Sequence, residues 1–395
     1  MLLSGLSYFS TMFRSYLLLI ALVLIYSGKA TAQADTSHLR MSLLTCGSGP
    51  EAWETFGHSA IRVTDSVAGT DNVYNYGTFN GYDEDFLLKF TRGKLLYYVS
   101  YYPYREFLRE YEEAGRSVQE QELLLGGKGK QAVYEFLQWN ALEENRYYKY
   151  DFFFDNCATR IRDVFPMALG NDFHFGTALP AGRHLTYRDI INIYFYRVQW
   201  QRFGVNLLLG SRIDSVMSNQ GIMFLPDFLK EGIRTATYKG RKVSTDPVTV
   251  VSAPPPAGAG INTALLAMAA ICLLTIFGGA IPTLRPLGNV MSFFVLFLTG
   301  FIGCFILVMW FGTDHQACQN NFNLLWALPT NLLIAFGRKG NKDKYALIGI
   351  VLIVISLLLH LLHIQQLLLP EMIPLLLALL FVYGMIYRNA KMKTY

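Results

Sequence analysis

The chain has 395 residues, a formal net charge of +5 and 52% hydrophobic residues. This length allows about two domains, each able to bury a core of its own. Nearly all acidic residues lie before residue 250, whereas much of the basic charge of the apolar C-terminal part lies in short loops, as is usual in membrane proteins. The composition therefore indicates one part in water and one part in a membrane. It gives no reason to expect a nucleic-acid partner.

The first residues have the pattern of a bacterial export signal. Arg14 precedes an apolar run over residues 16–26, and small residues follow at Ala30 and Ala32. We therefore expect residues 1–34 to be a signal peptide. A retained signal anchor is the alternative, but the run is short for a membrane-spanning helix, which needs about 20 residues. In both cases residues 35–258 are expected on the far side of the membrane.

Residues 35–252 are predicted to form an exported α+β domain. Runs rich in β-branched and aromatic residues, separated by Gly, Asn and Asp, predict strands. Apolar residues at helical spacing predict helices, most of which follow the first strands. The predicted strands are 41–46, 59–65, 72–76, 95–101 and 118–125, and the predicted helices are 104–113, 131–146, 157–168 and 187–202.

A proline-rich linker is predicted over residues 253–259, because a proline run continues neither a helix nor a sheet. Residues 260–395 are then predicted to form an all-α polytopic membrane domain of about five helices. The candidate spans are 260–280, 289–311, 321–336, 345–363 and 370–387. Because Lys and Arg are concentrated in alternate loops and in the tail, we expect a multi-pass protein of the bacterial inner membrane, with a periplasmic N-terminal domain and a cytoplasmic C-terminus.

His58 is the first candidate for chemistry. It follows Gly57 at the entrance of a predicted strand, where a glycine lets backbone or substrate approach closely. An imidazole titrates near neutral pH and can act as a general base, although a partly buried strand histidine is the more common case. Asn75, on the next predicted strand, is the candidate for the group that orients His58, and a turn or strand-end asparagine is the alternative.

Cys157 is the candidate nucleophile. Asp155 or Asn156 is expected to cap a helix that begins at Cys157. The positive end of the helix dipole, with Arg160 and Arg162 nearby, should lower the pKa of the thiol and make its thiolate available. A buried structural cysteine is the alternative. Because a nucleophilic thiol needs a base that is often distant in sequence, this cysteine and the histidine above together predict a catalytic pair.

A polar cluster is predicted at the outer rim of the third span. Polar groups at a membrane edge either mark an interface or line a site for a lipid or an acceptor. The candidate substrate-binding residues of this cluster are Asp314, His315, Asn321, Asn323 and Trp326. Asn156, Arg160 and Arg162, beside the candidate nucleophile, are further candidates for binding substrate. The histidines lack metal-ligand spacing, so neither a metal nor another cofactor is expected.

The chain has five cysteines. Cys272 and Cys304 fall within apolar spans, where they are expected to behave as small hydrophobic residues. The exported side is left with Cys46, Cys157 and Cys318. At least one of these three must be free or paired outside the chain.

Four motifs contain or flank the candidate residues of the exported domain. They are Gly57-His58-Ser59-Ala60-Ile61-Arg62, Tyr74-Asn75-Tyr76-Gly77-Thr78-Phe79, Phe153-Phe154-Asp155-Asn156-Cys157-Ala158-Thr159-Arg160-Ile161-Arg162-Asp163 and Met223-Phe224-Leu225-Pro226. Their order resembles the circularly permuted papain-like thiol domains, which include lecithin:retinol acyltransferase-like proteins. Their amino-acid sequences resemble those of the periplasmic domain of the Lnb family of lipoprotein N-acyltransferases from Bacteroidota. The resemblance extends into the membrane part through residues 313–329.

The resemblance implies a circularly permuted papain-like periplasmic domain and an acyl transfer reaction. In such a family an acyl chain moves from a membrane phospholipid to the α-amino group of the N-terminal diacylglyceryl-cysteine of a lipoprotein. Cys157 would form a thioester and His58 would move the proton. Two other interpretations stay open: a membrane-tethered cysteine peptidase or amidase acting on cell-wall peptides, and a non-enzymatic receptor or scaffold of the envelope.

Overall fold

The computed structural model describes residues 38–49, 51, 54–81, 85–254, 258–337 and 341–392. The predicted signal peptide and part of the predicted linker lie outside these residues. The described chain forms a sheet-rich N-terminal domain followed by a helical C-terminal region, as the composition indicates.

The N-terminal domain is built on a seven-stranded sheet in which neighbouring strands are antiparallel. The strands of the chain are β1 (Leu39–Cys46), β2 (His58–Asp65), β3 (Thr70–Phe79), β4 (Leu96–Pro103), β5 (Val118–Glu122), β6 (Tyr147–Lys149), β7 (Phe173–His174), β8 (Thr237–Tyr238), β9 (Arg241–Lys242) and β10 (Val248–Val251). The large sheet has the order β10-β5-β1-β2-β3-β4-β6, and β7, β8 and β9 form a small second sheet. All five strands that the sequence predicts are therefore present.

The helices of this domain cover both faces of the large sheet. They are α1 (Phe86–Thr91), α2 (Tyr104–Glu113), α3 (Gly127–Asn140), α4 (Cys157–Leu169), α5 (Tyr187–Tyr194), α6 (Gln199–Leu208) and α7 (Pro226–Arg234). Successive residues of a strand point to opposite faces. Leu43 accordingly packs in one buried cluster with residues of α3 and α4, and Leu44 packs in another with residues of α2. Both faces of β1 are covered, so all of its residues except Arg40 are buried, Ser42 and Thr45 included.

The helix predicted over residues 187–202 is broken into α5, a 3-10 turn at Phe195–Arg197 and α6. A buried arginine holds the two helices in this bent arrangement. Arg188 of α5 donates from Nη2 to the carbonyl oxygens of Leu209 and Gly210, which follow α6, at 3.0 and 2.9 Å. It also forms an ion pair with Asp214 at 2.8 Å. The two helices bury apolar residues in different cores: Ile190 and Ile191 pack in the N-terminal domain, and Phe203 and Leu207 pack with the helical region.

The C-terminal region consists of α8 (Thr263–Ala280), α9 (Arg285–Phe311), α10 (Asn331–Ala335), α11 (Lys342–Leu361) and α12 (Leu369–Met392). Four helices in the described residues are long and apolar enough to cross a membrane: α8, α9, α11 and α12. These correspond to the first, second, fourth and fifth predicted spans.

The third predicted span, residues 321–336, is not a continuous helix. It consists of a 3-10 helix at Phe322–Leu325 and the short helix α10, with Pro329 between them. Proline has no backbone N–H and disfavours the helical conformation of the preceding residue, so the turn before it cannot continue. The segment therefore does not form one regular helix, and a fifth span at residues 321–336 stays a prediction.

This broken segment packs against α9, and its polar groups form hydrogen bonds within the protein. A Cβ atom on Gly303 of α9 would lie 2.0 Å from the carbonyl oxygen of Ala327, so only glycine allows this approach. The fully buried Asn331 donates to the hydroxyl of Thr299 and accepts from those of Tyr345 and Tyr383, at 2.9, 2.7 and 2.7 Å. Irregular backbone at membrane depth needs such internal partners.

Candidate active site

His58 is the first residue of β2, and its position depends on the glycine before it. Gly57 has a φ of +75°, and a Cβ atom there would lie 2.4 Å from the carbonyl oxygen of Cys46. Only glycine adopts this conformation without strain at so close a contact. The Gly57-His58 pair of the sequence is thus a tight entry into the strand that presents the imidazole at its start.

Asn75 of β3 forms a hydrogen bond with the imidazole of His58. Its Oδ1 atom lies 2.6 Å from Nε2 of His58. Because this oxygen can only accept, Nε2 carries the proton and Nδ1 is left as the acceptor in the neutral ring. Asn75 in turn donates from Nδ2 to the hydroxyl of Tyr102 at 3.3 Å, and that hydroxyl donates to Glu110 at 3.1 Å. The relay fixes both the amide and the imidazole.

Cys157 is the first residue of α4, as predicted, and Asn156 caps the helix. The Asn156 Oδ1 atom accepts from the backbone N–H of Thr159 at 2.9 Å, and Thr159 Oγ1 accepts from the backbone N–H of Asn156 at 2.7 Å. Asn156 also donates from Nδ2 to the carbonyl oxygens of Phe152 and Phe224, both at 2.8 Å. With all its polar atoms bonded to protein, Asn156 is suited to position Cys157 rather than to bind substrate.

The thiol of Cys157 and the imidazole of His58 share a hydrogen bond and strongly affect each other. Burial opposes the thiolate, but His58 and the backbone N–H groups of Ser59 and Ala158 lower the pKa of Cys157 below its usual range. Burial likewise opposes the imidazolium, but the Cys157 thiolate raises the pKa of His58 above its usual range. Both shifts favour a thiolate–imidazolium pair, the reactive form of a thiol nucleophile.

Arg160 and Arg162 follow Cys157 along α4, but each is paired with a carboxylate. Arg160 binds Asp155 through two hydrogen bonds, and Arg162 binds Asp163 at 2.7 Å. Their charges are therefore largely balanced locally. The imidazole and the backbone N–H groups, rather than the two arginines that the sequence suggests, lower the pKa of the thiol.

A small space beside the thiol is bordered by Gly77 and Tyr148. Gly77 lies in β3 at a φ of +96°, where the register with β4 shifts. A Cβ atom there would lie 3.8 Å from Cβ of Cys157, 3.9 Å from Cε1 of His58 and 4.0 Å from the hydroxyl of Tyr148. That hydroxyl is buried and has no hydrogen-bond partner among the described residues. It is a free donor next to the candidate nucleophile.

The Tyr148 ring is held in place from its other face. Its plane packs against the guanidinium of Arg160, whose Cζ atom lies 4.1 Å from the ring centroid. The side chain is only 6% exposed. Arg160 therefore acts on the site through Tyr148, by fixing a ring whose hydroxyl remains unpaired.

Asp314 and His315 connect the end of α9 to the N-terminal domain. His315 Nε2 lies 3.2 and 3.1 Å from the carbonyl oxygens of Phe90 and Thr91. The backbone N–H of Asp314 donates to the carbonyl oxygen of Arg92 at 2.9 Å. These two candidates hold the C-terminal end of α1 against the membrane-spanning region.

Asn321, Asn323 and Trp326 are buried at the contact between the two parts of the chain. Asn321 donates from Nδ2 to the carbonyl oxygens of Leu207 and Leu208 at the end of α6, at 2.8 and 2.9 Å. Asn323 donates to Leu207 at 3.0 Å and accepts from the indole N–H of Trp326 at 3.0 Å. These side chains satisfy the last carbonyls of α6. The geometry therefore favours a role in joining the domains over contact with substrate.

The other thiols have different environments. All five cysteines are free. Burial raises the pKa of Cys46 and of Cys318 to about 12, so both stay protonated at neutral pH. Within the described residues no group of His, Cys, Asp and Glu side chains is arranged to hold a metal ion. Cys157 is the cysteine whose surroundings favour a thiolate.

The thiol lies close to the membrane-spanning region. Asp151, shortly before Cys157, is near enough to His315 and Cys318 to interact with them electrostatically. Met309, near the end of α9, belongs to the same extended buried cluster as Cys157. The core that contains the candidate site thus continues to the rim of the helical region.

Sequence reasoning missed four contributors: Tyr102, Glu110, Gly77 and Tyr148. Gly77 carried a readable signal, because a glycine inside a strand marks a bulge or a close approach. Tyr102, Glu110 and Tyr148 carried none, since aromatic and acidic residues are frequent in this part of the chain. The pairing of β3 with β4, and of β4 with β6, brings Tyr102 and Tyr148 to the site, and Glu110 of α2 joins them through its hydrogen bond with Tyr102.

Two family models match the chain. Residues 26–192 match the model described as the Lnb N-terminal periplasmic domain. Residues 261–394 match the model described as the Lnb transmembrane domain. Neither a curated protein nor a solved structure matched in the other two comparisons.

Proposed function

The chain belongs to the Lnb family, with the periplasmic and transmembrane domains of that family in order, and on this premise we propose that it is a lipoprotein N-acyltransferase. The acyl donor is a membrane phospholipid. The acceptor is the α-amino group of the N-terminal diacylglyceryl-cysteine of a lipoprotein. The N-terminal domain is periplasmic and the C-terminal region lies in the inner membrane.

The first half-reaction forms a thioester on Cys157. The thiolate attacks the carbonyl carbon of a phospholipid ester, and the tetrahedral intermediate collapses with cleavage of the bond to the glycerol oxygen. The His58 imidazolium gives its proton from Nδ1 to that oxygen, so a lysophospholipid leaves. The hydrogen bond from Nε2 to Asn75 keeps Nδ1 directed toward the thiol throughout.

The second half-reaction forms an amide. The neutral amine attacks the thioester carbonyl, His58 accepts a proton from the amine nitrogen, and the carbon–sulfur bond breaks to restore the thiolate. An α-amino group has a pKa of about 7.7–8.0, so part of it is neutral near pH 7. A lowered thiol pKa makes Cys157 a good leaving group in this step.

Both half-reactions place negative charge on a carbonyl oxygen. The unpaired Tyr148 hydroxyl, beside the space that Gly77 leaves open next to Cys157, is the donor we assign to that oxyanion. A donor that is fixed before the reaction stabilises the developing charge without reorganisation. The backbone N–H of Cys157, at the start of α4, is a second donor.

The observation that carries this proposal is the buried Cys157–His58–Asn75 constellation at the rim of the helical region. A peptidase acting in the periplasm has no need of such a location, whereas an enzyme with two lipid substrates does. Proximity to the bilayer also excludes water, which would otherwise hydrolyse the thioester.

The test is mass spectrometry of lipoprotein N-termini. Cells in which this protein is the sole N-acylating candidate would carry the wild-type chain, Cys157→Ser, or the matched control Cys304→Ser in α9. We expect amide-linked acyl chains with the wild type and the control, and free amines with Cys157→Ser. N-acylation that persists in Cys157→Ser would overturn the proposal and favour a cell-wall amidase.

A further inference from the structure

Helix α1 exposes an apolar face for which the described residues provide no cover. Leu87, Leu88 and Phe90 are 74%, 57% and 50% exposed. Adjacent large apolar side chains with this exposure mark an interaction surface. The exposed cations Arg92 and Lys94 follow the helix directly.

The location of α1 identifies the environment that covers this face. As described above, His315 and Asp314 bind the carbonyl oxygens at the C-terminal end of α1. Both residues follow directly after α9, a helix long and apolar enough to span the membrane, whose last residue, Phe311, is 72% exposed. Gly93, at a φ of +67°, allows the close approach, since a Cβ atom there would lie 3.2 Å from the backbone nitrogen of His315. The apolar face of α1 therefore lies beside the end of a membrane span.

A continuous series of aromatic rings leads from α1 toward the thiol. Phe90 stacks on Phe86 with ring centroids 6.1 Å apart, and Phe86 stacks on Phe79 at 5.4 Å. Phe79 contacts Tyr97 at 5.3 Å, and Tyr97 stacks on Tyr150 at 4.4 Å.

The series ends at the candidate active site. Phe79 follows two residues after Gly77, which borders Cys157. Tyr150 lies near enough to Cys157 to interact with its charge. Phe79 is 42% exposed, so the middle of the series is open to an incoming apolar chain.

We propose that α1 inserts its apolar face into the outer leaflet beside α9, and that the aromatic series guides one acyl chain of a phospholipid from the leaflet to Cys157. The first half stands on geometry alone, and the second rests on the proposed acyltransferase function. Short helices with an apolar face and flanking cations bind at the interface of a bilayer in this way, with the cations near the phosphates.

Photo-crosslinking tests the insertion without any reference to activity. The full-length protein would carry a benzophenone amino acid at Leu88, or at the control position Val67, in vesicles of phosphatidylethanolamine and phosphatidylglycerol. Val67 is 81% exposed in the turn between β2 and β3, at the opposite end of these strands from Phe79. We expect phospholipid adducts at position 88 and none at 67. Equal labelling at both positions, or none at 88, would overturn the insertion.

Donor selectivity tests the acyl path. The variant Leu87→Asp/Leu88→Asp and the control Val67→Asp would be assayed for acyl-enzyme formation with vesicle phospholipid and with a dihexanoyl phospholipid below its micelle concentration. We expect the ratio of the vesicle rate to the short-chain rate to fall at least 10-fold in the α1 variant only. An unchanged ratio would overturn the path. Absence of acyl-enzyme from either donor in the wild type would instead overturn the acyltransferase function, and the crosslinking result would still decide the insertion.

Discussion

The Nε2 atom of His58 lies 2.6 Å from the Oδ1 atom of Asn75, and this contact decides which imidazole nitrogen faces the Cys157 thiol. Without it, the ring could present either nitrogen or rotate away from Cys157. The proposed role of Asn75 is therefore to position the base, and each consequence of that role can be measured.

Replacing Asn75 with alanine should lower the rate of acyl-enzyme formation by about 10- to 100-fold, a part of the ~10²–10⁴-fold effect of a positioned base. The cause is loss of the preferred tautomer and orientation of His58. Asn75→Asp keeps the acceptor oxygen and adds a negative charge, so it should recover most of the rate and raise the pKa of His58 further. The measurement is the pH profile of single-turnover acylation. Equal rates and profiles for wild type and Asn75→Ala would remove Asn75 from the mechanism.

The pH dependence of Cys157 alkylation follows from the two pKa shifts. The thiolate is lost as pH falls through the lowered pKa of Cys157, so half-maximal alkylation should occur below the value of about 8.5 usual for an exposed cysteine. The imidazolium is lost as pH rises through the raised pKa of His58, so acyl transfer should decline only above the usual histidine range.

One variant and two internal controls extend this experiment. In His58→Ala the alkylation midpoint of Cys157 should move to higher pH, because burial opposes the thiolate and only the backbone N–H groups of Ser59 and Ala158 remain to favour it. Cys46 and Cys318 should stay unmodified in the native protein, since burial raises the pKa of each to about 12. Peptide mapping after iodoacetamide treatment distinguishes the three sites. A wild-type midpoint at or above the usual cysteine value would contradict the thiolate–imidazolium pair.

Replacing Tyr148 with phenylalanine should separate catalysis from stability. Loss of an oxyanion donor typically costs about 10²–10³-fold in rate. The ring keeps its packing on Arg160, and removal of a buried hydroxyl without a partner should leave the free energy of unfolding unchanged or slightly higher.

Tyr76→Phe is the matched control for this change. The Tyr76 hydroxyl is also buried, but it donates to Asn140 at 2.7 Å, so its removal should destabilise the fold by about 1 kcal/mol and spare the acylation rate. Thermal unfolding and acyl-enzyme formation would be measured for both variants. If Tyr148→Phe retains the full rate, another group stabilises the oxyanion.

Local signals explain which parts of the fold and site could be predicted. The start of α4 at Cys157 could be predicted because Asp155 and Asn156 before it are both good capping residues, and the structure shows that Asn156 is the cap. Strands β1 to β5 could be predicted because each contains a short run of β-forming residues. Asn75 could be proposed because it lies on the next predicted strand after His58, and these two strands pair in the structure.

Long-range partners explain what could not be predicted. Apolar composition over residues 321–336 indicated a helix, but the structure there depends on the hydrogen bonds that Asn331 donates to Thr299 and accepts from Tyr345 and Tyr383. The same limit applies to Asn321 and Asn323. Their side chains alone fit a lipid site or an interface, and their partners on α6 lie more than one hundred residues earlier in the chain.

Replacing Asn323 with alanine tests whether its contact with α6 joins the N-terminal domain to the helical region. The change leaves the Trp326 indole N–H and the Leu207 carbonyl oxygen without one partner each in a buried contact. An unsatisfied buried polar group costs about 1–3 kcal/mol, so the unfolding temperature should fall clearly. Gln316→Ala, an exposed position in the same loop, should have no such effect. If Asn323→Ala instead raises only the KM for one substrate and leaves stability unchanged, Asn323 contacts that substrate.

Breaking the ion pair between Arg202 and Glu371 should loosen the N-terminal domain from the membrane-spanning region. Arg202 of α6 donates from Nη2 to the fully buried carboxylate of Glu371 in α12 at 2.6 Å, and Asn262, which caps α8, donates to the same oxygen at 2.8 Å. Removing one partner of a buried pair strands the other charge and costs about 3–5 kcal/mol. Glu371→Ala should therefore unfold at a markedly lower temperature in detergent.

Two further variants serve as comparisons for Glu371→Ala: one breaks an exposed ion pair, and the other removes both charges of the buried pair. Glu113→Ala breaks the exposed pair with Arg109 and should cost only about 0–1 kcal/mol. Arg202→Leu with Glu371→Leu removes both charges, so it should be less destabilising than Glu371→Ala. Because the thiol and imidazole lie within the N-terminal domain, alkylation of Cys157 should stay fast in Glu371→Ala while acylation from vesicle phospholipid falls. A parallel fall of both rates would mean that the ion pair supports the fold of the active site itself, and not only its location at the membrane.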